Sequence, residues 1–232
     1  MSELVKKIQN LTEYQSLFIT GTDTEIGKTY CTSLLLRFMM KMGVDVNPFK
    51  PIAAGTEAHL LDGEGHPVNE DAFRLWQASN KRFTMDQINP ILYKQPIAPH
   101  IAAELEDDEL NKQRLDLLLP SALGLAELTL IEGAGGWHLP LNNDELLSHW
   151  VAEHKIPVIL VVGVRLGCLN HALLTAQAIS SAGCEIVGWV ANYLEGKSNI
   201  HIKNVDYLKQ KLLANYGVDC LFEVDKNQTR LG

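Results

Sequence analysis

A single α/β domain built on a mostly parallel β-sheet, with helices on both faces, is the fold class that the sequence predicts. Apolar runs of strand length alternate with segments of helical periodicity, the pattern of βαβ units. Three of those runs are largely apolar without alternation, as in strands buried on both faces. A glycine-containing loop also joins the first strand to the first helix. At 232 residues with no break in composition, residues 1–232 read as one domain, with 1–15 as an N-terminal extension.

Leu17 to Thr20 is a short β-branched and aromatic run. After a turn-rich stretch, Leu34, Leu35, Phe38, Met39 and Met42 recur at helical spacing until Gly43 stops them. A strand is expected from Val44 to Phe49, a polar surface loop over Leu61 to Asn69, and a helix from Asp71 to Ala78. Pro90, Pro96 and Pro99 remove backbone donors from Ile88 to His100, so an irregular loop is expected there. A helix is expected between Glu109 and Glu127. The doubly buried strands are Leu128 to Ile131, Val158 to Val162 and Ile186 to Ala191. Helices over Asp144 to His154, Asn170 to Ala182 and Ile200 to Tyr216 fill the gaps, with Gly183 and Gly217 at helix stops.

With 46% hydrophobic and 21% charged residues the chain has ample core material and no disordered or low-complexity character. Twenty basic against twenty-eight acidic side chains give a net charge of −8, which repels a phosphate backbone and excludes a general nucleic-acid binder. The longest apolar run, Ile156 to Val164, is broken by Pro157 and Gly163, and no apolar run follows Lys6 and Lys7, so neither a membrane span nor a secretion signal is expected. The expected compartment is the cytoplasm. Cys31, Cys168, Cys184 and Cys220 lie at no metal-ligand spacing and read as reduced thiols; His100, His138 and His171 read as surface or satisfied polar residues.

Chemistry concentrates in Gly21-Thr22-Asp23-Thr24-Glu25-Ile26-Gly27-Lys28-Thr29. Between a strand and a helix, its amides and the helix dipole can surround phosphate oxygens. Lys28 can neutralise them, the Thr29 hydroxyl can reach a magnesium ion, and Gly27 permits close backbone approach. Five residues, not the usual four, separate its glycines, so the loop is a variant that points to nucleoside triphosphate binding.

Ligand crevices in open α/β sheets lie beyond the carboxyl ends of the strands, so polar residues there are candidates together. Glu132 ends one strand and introduces Gly133-Ala134-Gly135-Gly136-Trp137, where a carboxylate can share a metal with Thr29. Asp71 is open to two readings, a metal-side carboxylate or a helix-dipole residue. Lys50 before Pro51 suits transition-state charge stabilisation or an anionic substrate, but also an exposed strand end. Arg165 reads as a solvated strand end. Asn170 reads as an N-cap that leaves free amides for an anion, and Asn192 follows the Gly188 to Ala191 run.

These residues resemble the dethiobiotin synthetase family from about Leu17 to Asn192. The matching segments include the loop, Phe49-Lys50-Pro51-Ile52-Ala53-Ala54-Gly55, Asn89-Pro90, Pro99-His100-Ile101, Ile131 to Trp137, Pro157 to His171, and Gly188 to Asn192. The resemblance implies a single-domain P-loop NTPase-like fold and a homodimeric ligase of biotin synthesis. Such an enzyme converts 7,8-diaminopelargonic acid, CO2 and ATP, with Mg2+, to dethiobiotin, ADP and phosphate. It implies catalytic roles for Lys50, Lys28 and Thr24, and nucleotide contacts from Glu25, Ile26, Gly27, Lys28, Thr29 and Tyr30, together with Asp71, Glu132 and Asn192, the last at adenine. Magnesium would meet Thr29, Asp71 and Glu132. Substrate would meet Lys50, Ala54 and, across the dimer interface, Gly167, Cys168, Leu169 and Asn170.

Two departures bear on these implications. Ala54 stands where the family commonly has a hydroxyl, and Val218 to Val224 lacks the proline-aromatic stretch of the adenine pocket. The alternative from another class is a P-loop ATPase of the partition or scaffold type, a nucleotide switch that makes no small-molecule product. Those relatives carry a second lysine early in the loop, and residues 21–27 contain none. A GTPase would carry an Asn-Lys-x-Asp run, which is absent; a small-molecule kinase differs in its product.

Overall fold

The computed structural model describes residues 2–225 and 228–231. In chain order its elements are α1 (Glu3–Leu11), β1 (Ser16–Gly21), α2 (Lys28–Lys41), β2 (Val46–Phe49), β3 (Ile52–Ala54), β4 (Glu57–Leu61), β5 (Pro67–Val68), α3 (Glu70–Ala78), α4 (Met85–Ile88), β6 (Ile91–Tyr93), α5 (Pro99–Leu105), α6 (Lys112–Leu123), β7 (Leu128–Glu132), α7 (Leu147–Glu153), β8 (Val158–Val164), α8 (Cys168–Ser181), β9 (Ile186–Tyr193), α9 (Asn199–Tyr216) and β10 (Cys220–Asp225). The central sheet has the order β10-β9-β8-β1-β7-β2, and each neighbouring pair is parallel.

The uniformly apolar strands follow from this arrangement, because successive side chains enter two different cores. Leu17, Ile19, Leu130, Ile159 and Val161 pack with Leu34, Leu35 and Met39 of α2 on one face. Phe18, Ile131, Leu160 and Val162 pack with Trp150 of α7, Ile179 of α8 and Leu208 of α9 on the other. Strand β1 lies between β7 and β8, so the chain leaves it where the strand order reverses. That switch point is where an open α/β sheet forms its crevice. No helix among the described residues is long and apolar enough to cross a membrane.

Several expectations need correction. Residues 61–69 are no simple loop: β4 and β5 pair antiparallel there. The Ile88 to His100 segment is not irregular throughout, since β6 pairs with β3 and Pro99 opens α5. Its prolines flank the strand instead of interrupting it, and proline is tolerated in a first helical turn. Asn170 is not an N-cap. Gly167 holds that position in a left-handed conformation (φ 92°), so α8 starts at Cys168. Strand β10 was not expected, nor was α1, whose Ile8 and Leu11 enter the core beside Leu221 and Val224. All four cysteines are free.

Candidate active site

The loop between β1 and α2 takes its shape from two constraints. Gly27, the N-cap of α2, is left-handed (φ 82°), and a Cβ there would stand 2.3 Å from the Asn192 amide nitrogen. That nitrogen donates to the Ile26 carbonyl at 2.8 Å. Asn192, at the end of β9, therefore braces the loop from below.

Lys28 and Thr29 open α2 and are both buried. The Lys28 ammonium donates to the carbonyl of Asp23 at 3.2 Å. Burial, and then the positive charge of Lys50, hold the pKa of Lys28 below its ordinary value. Such a group gains most from the arrival of a polyanion, which replaces the lost solvation.

Around Thr29 the strand ends converge. The Thr29 hydroxyl donates to Glu132 Oε1 at 2.6 Å, and the Lys50 ammonium lies 2.9 Å from the same oxygen and 3.3 Å from Asp71 Oδ2. Glu132 is wholly buried, Lys50 nearly so, and Asp71 half-exposed. Burial alone would lower the pKa of Lys50, but the charges of Glu132 and Asp71 outweigh it and raise the pKa. Burial likewise opposes ionisation of Asp71, and Lys50 reverses the balance, so its pKa is lowered. The strand-end reading of Lys50 as an exposed residue is thus overturned. Lys50 is further fixed from behind, because Asn89 Nδ2 donates to its carbonyl at 2.8 Å.

One polar atom in this cluster is left over. Glu132 Oε2 is buried with no hydrogen-bond partner among the described residues. An unpaired buried carboxylate oxygen is costly unless a cation meets it. A hydroxyl and two carboxylates are hard oxygen donors, which suit Mg2+, so the residues fit that ion.

These groups open into a cavity of about 670 Å³, lined by Thr24, Glu25, Gly27, Lys28, Thr29, Tyr30, Lys50, Ala54 and Asp71, among others. Sequence reasoning gave no site role to several lining residues, among them Asn69, Arg74, Pro96 and Ile97. Asn69 caps α3 and donates to the carbonyls of Ala54 and Gly55, so it positions Asp71 and the 54–55 turn together. Arg74, one turn beyond Asp71, lines the cavity and pairs with Glu70. Pro96 and Ile97 form a wall. Asn69 had a legible signal as a cap residue before Asp71; the other three had none.

The remaining expected residues do not line the cavity: Glu132 stands behind Thr29 and Lys50, and Asn192 beneath the loop. Ile26 is a core residue beneath the loop. Gly167 and Asn170 are exposed, Leu169 is half-buried and Cys168 is buried, and none of the four lines the cavity. Arg165 is not a free strand end: its guanidinium pairs with Asp23 at 2.5 Å. His138 hydrogen-bonds Ser148, whereas Nδ1 of His100 has no partner among the described residues.

A mostly parallel sheet with this loop at its switch point defines a P-loop NTPase-like protein. Consistent with that fold, a ParA family ATPase from Chlorobium tepidum superposes with a TM-score of 0.52 at 15% identity, covering 92% of this chain and 86% of that one. An AAA domain family profile (AAA_26) matches residues 15–227. Proteins named ATP-dependent dethiobiotin synthetase BioD are 46% identical over 206 residues in Alteromonas mediterranea (84% of this chain, 87% of the relative) and 44% identical over 203 residues in Aeromonas salmonicida (87% and 88%). The chain belongs to the ATP-dependent dethiobiotin synthetase family, whose members are ligases of biotin synthesis.

Proposed function

We propose that the protein closes the ureido ring of dethiobiotin from 7,8-diaminopelargonic acid, CO2 and ATP, releasing ADP and phosphate. The supporting observation is the convergence of Lys28, Thr29, Lys50 and Asp71 at one cavity, with Glu132 buried against Thr29 and Lys50, in a chain of this family.

One substrate amine adds to CO2 and loses a proton, giving a carbamate. A carbamate oxygen attacks the γ-phosphorus and ADP leaves. The second amine then attacks the carbonyl carbon of the mixed anhydride, phosphate departs, and loss of a proton completes the ring. No covalent bond to the enzyme is needed, so its task is positioning and charge stabilisation. Glu25 and Gly27 of the loop, the Ile26 backbone and Tyr30 of α2 border the triphosphate, which Lys28 meets after leaving the Asp23 carbonyl. Thr24 and Lys50 face the carbamate and γ-phosphate, with the backbone at Ala54 beside them. Thr29, Asp71 and Glu132 would hold Mg2+, which when bound neutralises phosphate charge. Because Asn192 Nδ2 is committed to Ile26, its adenine contact would use the amide oxygen.

Gly167, Cys168, Leu169 and Asn170 lie outside this chain's cavity, which supports a homodimer in which they receive the substrate carboxylate of the other subunit. The Leu169 and Asn170 amides in the first turn of α8, which Gly167 opens, supply that anion site; the Cys168 amide is taken by the Arg165 carbonyl. Leu166 (99% exposed) and Leu174 (56%) flank them as unpaired apolar surface.

The test is to incubate the purified protein with diaminopelargonate, labelled bicarbonate, ATP and Mg2+, and then omit each in turn. Label in an acid-stable cyclic urea, lost on every omission, is expected. ATP turnover that ignores diaminopelargonate would point to a nucleotide switch, and a stable phosphorylated substrate to a kinase; either result overturns the proposal.

A further inference from the structure

Arg165 belongs to neither group of residues above, yet its side chain touches the phosphate loop at Asp23 and its carbonyl the start of α8. It follows β8, whose neighbour in the sheet is β1, so it emerges beside the start of the phosphate loop. The ladder continues one residue past β1, where the Thr22 amide donates to the Val161 carbonyl at 3.1 Å. Asp23 comes next, and each of its acceptors is occupied. Oδ2 pairs with the Arg165 guanidinium at 2.5 Å, Oδ1 accepts from the Thr24 amide at 2.8 Å, and the carbonyl accepts from Lys28 at 3.2 Å. On its own main chain, the Arg165 carbonyl accepts from the amide of Cys168, the first residue of α8, at 3.1 Å.

We propose that Arg165 is a positioning residue that couples the phosphate loop to the start of α8. Its side chain fixes Asp23, and through Asp23 the Thr24 amide and the resting place of Lys28; its carbonyl fixes the turn that opens α8. A change at one seat is thereby felt at the other. The proposal rests on the reading of these two segments as the seats of triphosphate and substrate carboxylate.

Magnitude separates this role from a purely structural one. The two side chains are 41% and 44% exposed. A pair so exposed shifts an equilibrium by no more than about fivefold and is screened by salt. Its loss should therefore leave the fold intact and appear in ligand affinity.

The experiment uses the full-length protein with Arg165→Ala and Arg165→Lys. Binding of the non-hydrolysable analogue AMPPNP with Mg2+ is followed by calorimetry, and KM for diaminopelargonate by steady-state turnover. Arg165→Ala is expected to weaken AMPPNP binding and raise that KM, each about three- to fivefold, with kcat within about twofold, and Arg165→Lys to recover most of both. Raising ionic strength to about 0.5 M should bring wild-type protein towards the alanine variant. Wild-type affinities in Arg165→Ala overturn the coupling, as does equal impairment of the lysine and alanine variants. If wild-type protein itself fails to bind AMPPNP, the reading of the loop as the triphosphate seat falls, a result distinct from the other two.

Discussion

At the scale of single residues, Lys50 serves as counter-ion to two carboxylates before any substrate is considered. Replacing it by glutamine leaves Glu132 buried beside Asp71 without a full positive charge. Ring formation should fall about 10²–10³-fold from the lost charge stabilisation, and urea unfolding should show a loss of about 3 kcal/mol, typical of stripping one partner from a buried pair. Added Mg2+ should raise the melting temperature of Lys50→Gln more than that of wild type, since a dication relieves the repulsion; equal shifts would contradict this. Lys28 sets a pH dependence of opposite character. Its folded-state pKa lies below the ordinary 10.5, so in free protein it discharges at lower pH than a solvated lysine. kcat/KM for ATP should therefore decline on the alkaline side with a midpoint below 10.5, and Lys28→Arg should move that decline upward. Lys50 and Glu132 were legible because position at a strand end is itself a sequence pattern, and Lys28, Thr29 and Asp71 because each opens a helix. The partners of Arg165 and Asn192 were not, because contacts across 142 and 166 residues leave no local trace.

Among the elements, the long apolar strands and their helices could be read because burial on both faces writes itself as an unbroken hydrophobic run. Short pieces escaped. Strands β3 and β6 are each three residues, too brief for a period to show, and α1 is marked by little more than Ile8 and Leu11. Strand β10 was obscured by Glu223 and Asp225, acidic residues that break its apolar run. Burial works against the charge of Glu223, but Lys197, Lys209 and the Tyr193 hydroxyl outweigh it and hold its pKa at about 2. A carboxylate with a depressed folded pKa adds stability above its ordinary 4.5, which is lost as pH falls through about 2. Glu223→Gln should lower the melting temperature at neutral pH and flatten its dependence on pH between those two values. Gly188 is a second point where sheet and side chain meet, since a Cβ there would stand 2.5 Å from Cγ of Leu221. Gly188→Ala should cost about 1–3 kcal/mol by overpacking, measurable by urea unfolding.

For the molecule as a whole, Thr24, Lys28, Thr29, Lys50 and Asp71 share one cavity within one chain, while Gly167 and Asn170 are exposed outside it. If a second copy supplies the 167–170 segment, Leu174→Glu should yield monomers by sedimentation that still bind AMPPNP but form no ring; an active monomer would contradict the shared site. One further feature makes such experiments simpler to follow. Trp137 ends the glycine turn after β7, is 4% exposed, stacks edge-on to Phe18 with ring centroids 6.2 Å apart, and leaves its indole nitrogen without a partner among the described residues. An indole so enclosed, a few residues from Glu132, emits in the blue and responds to small shifts of its surroundings. Titration of nucleotide or metal could therefore be watched by intrinsic fluorescence, with no dye attached.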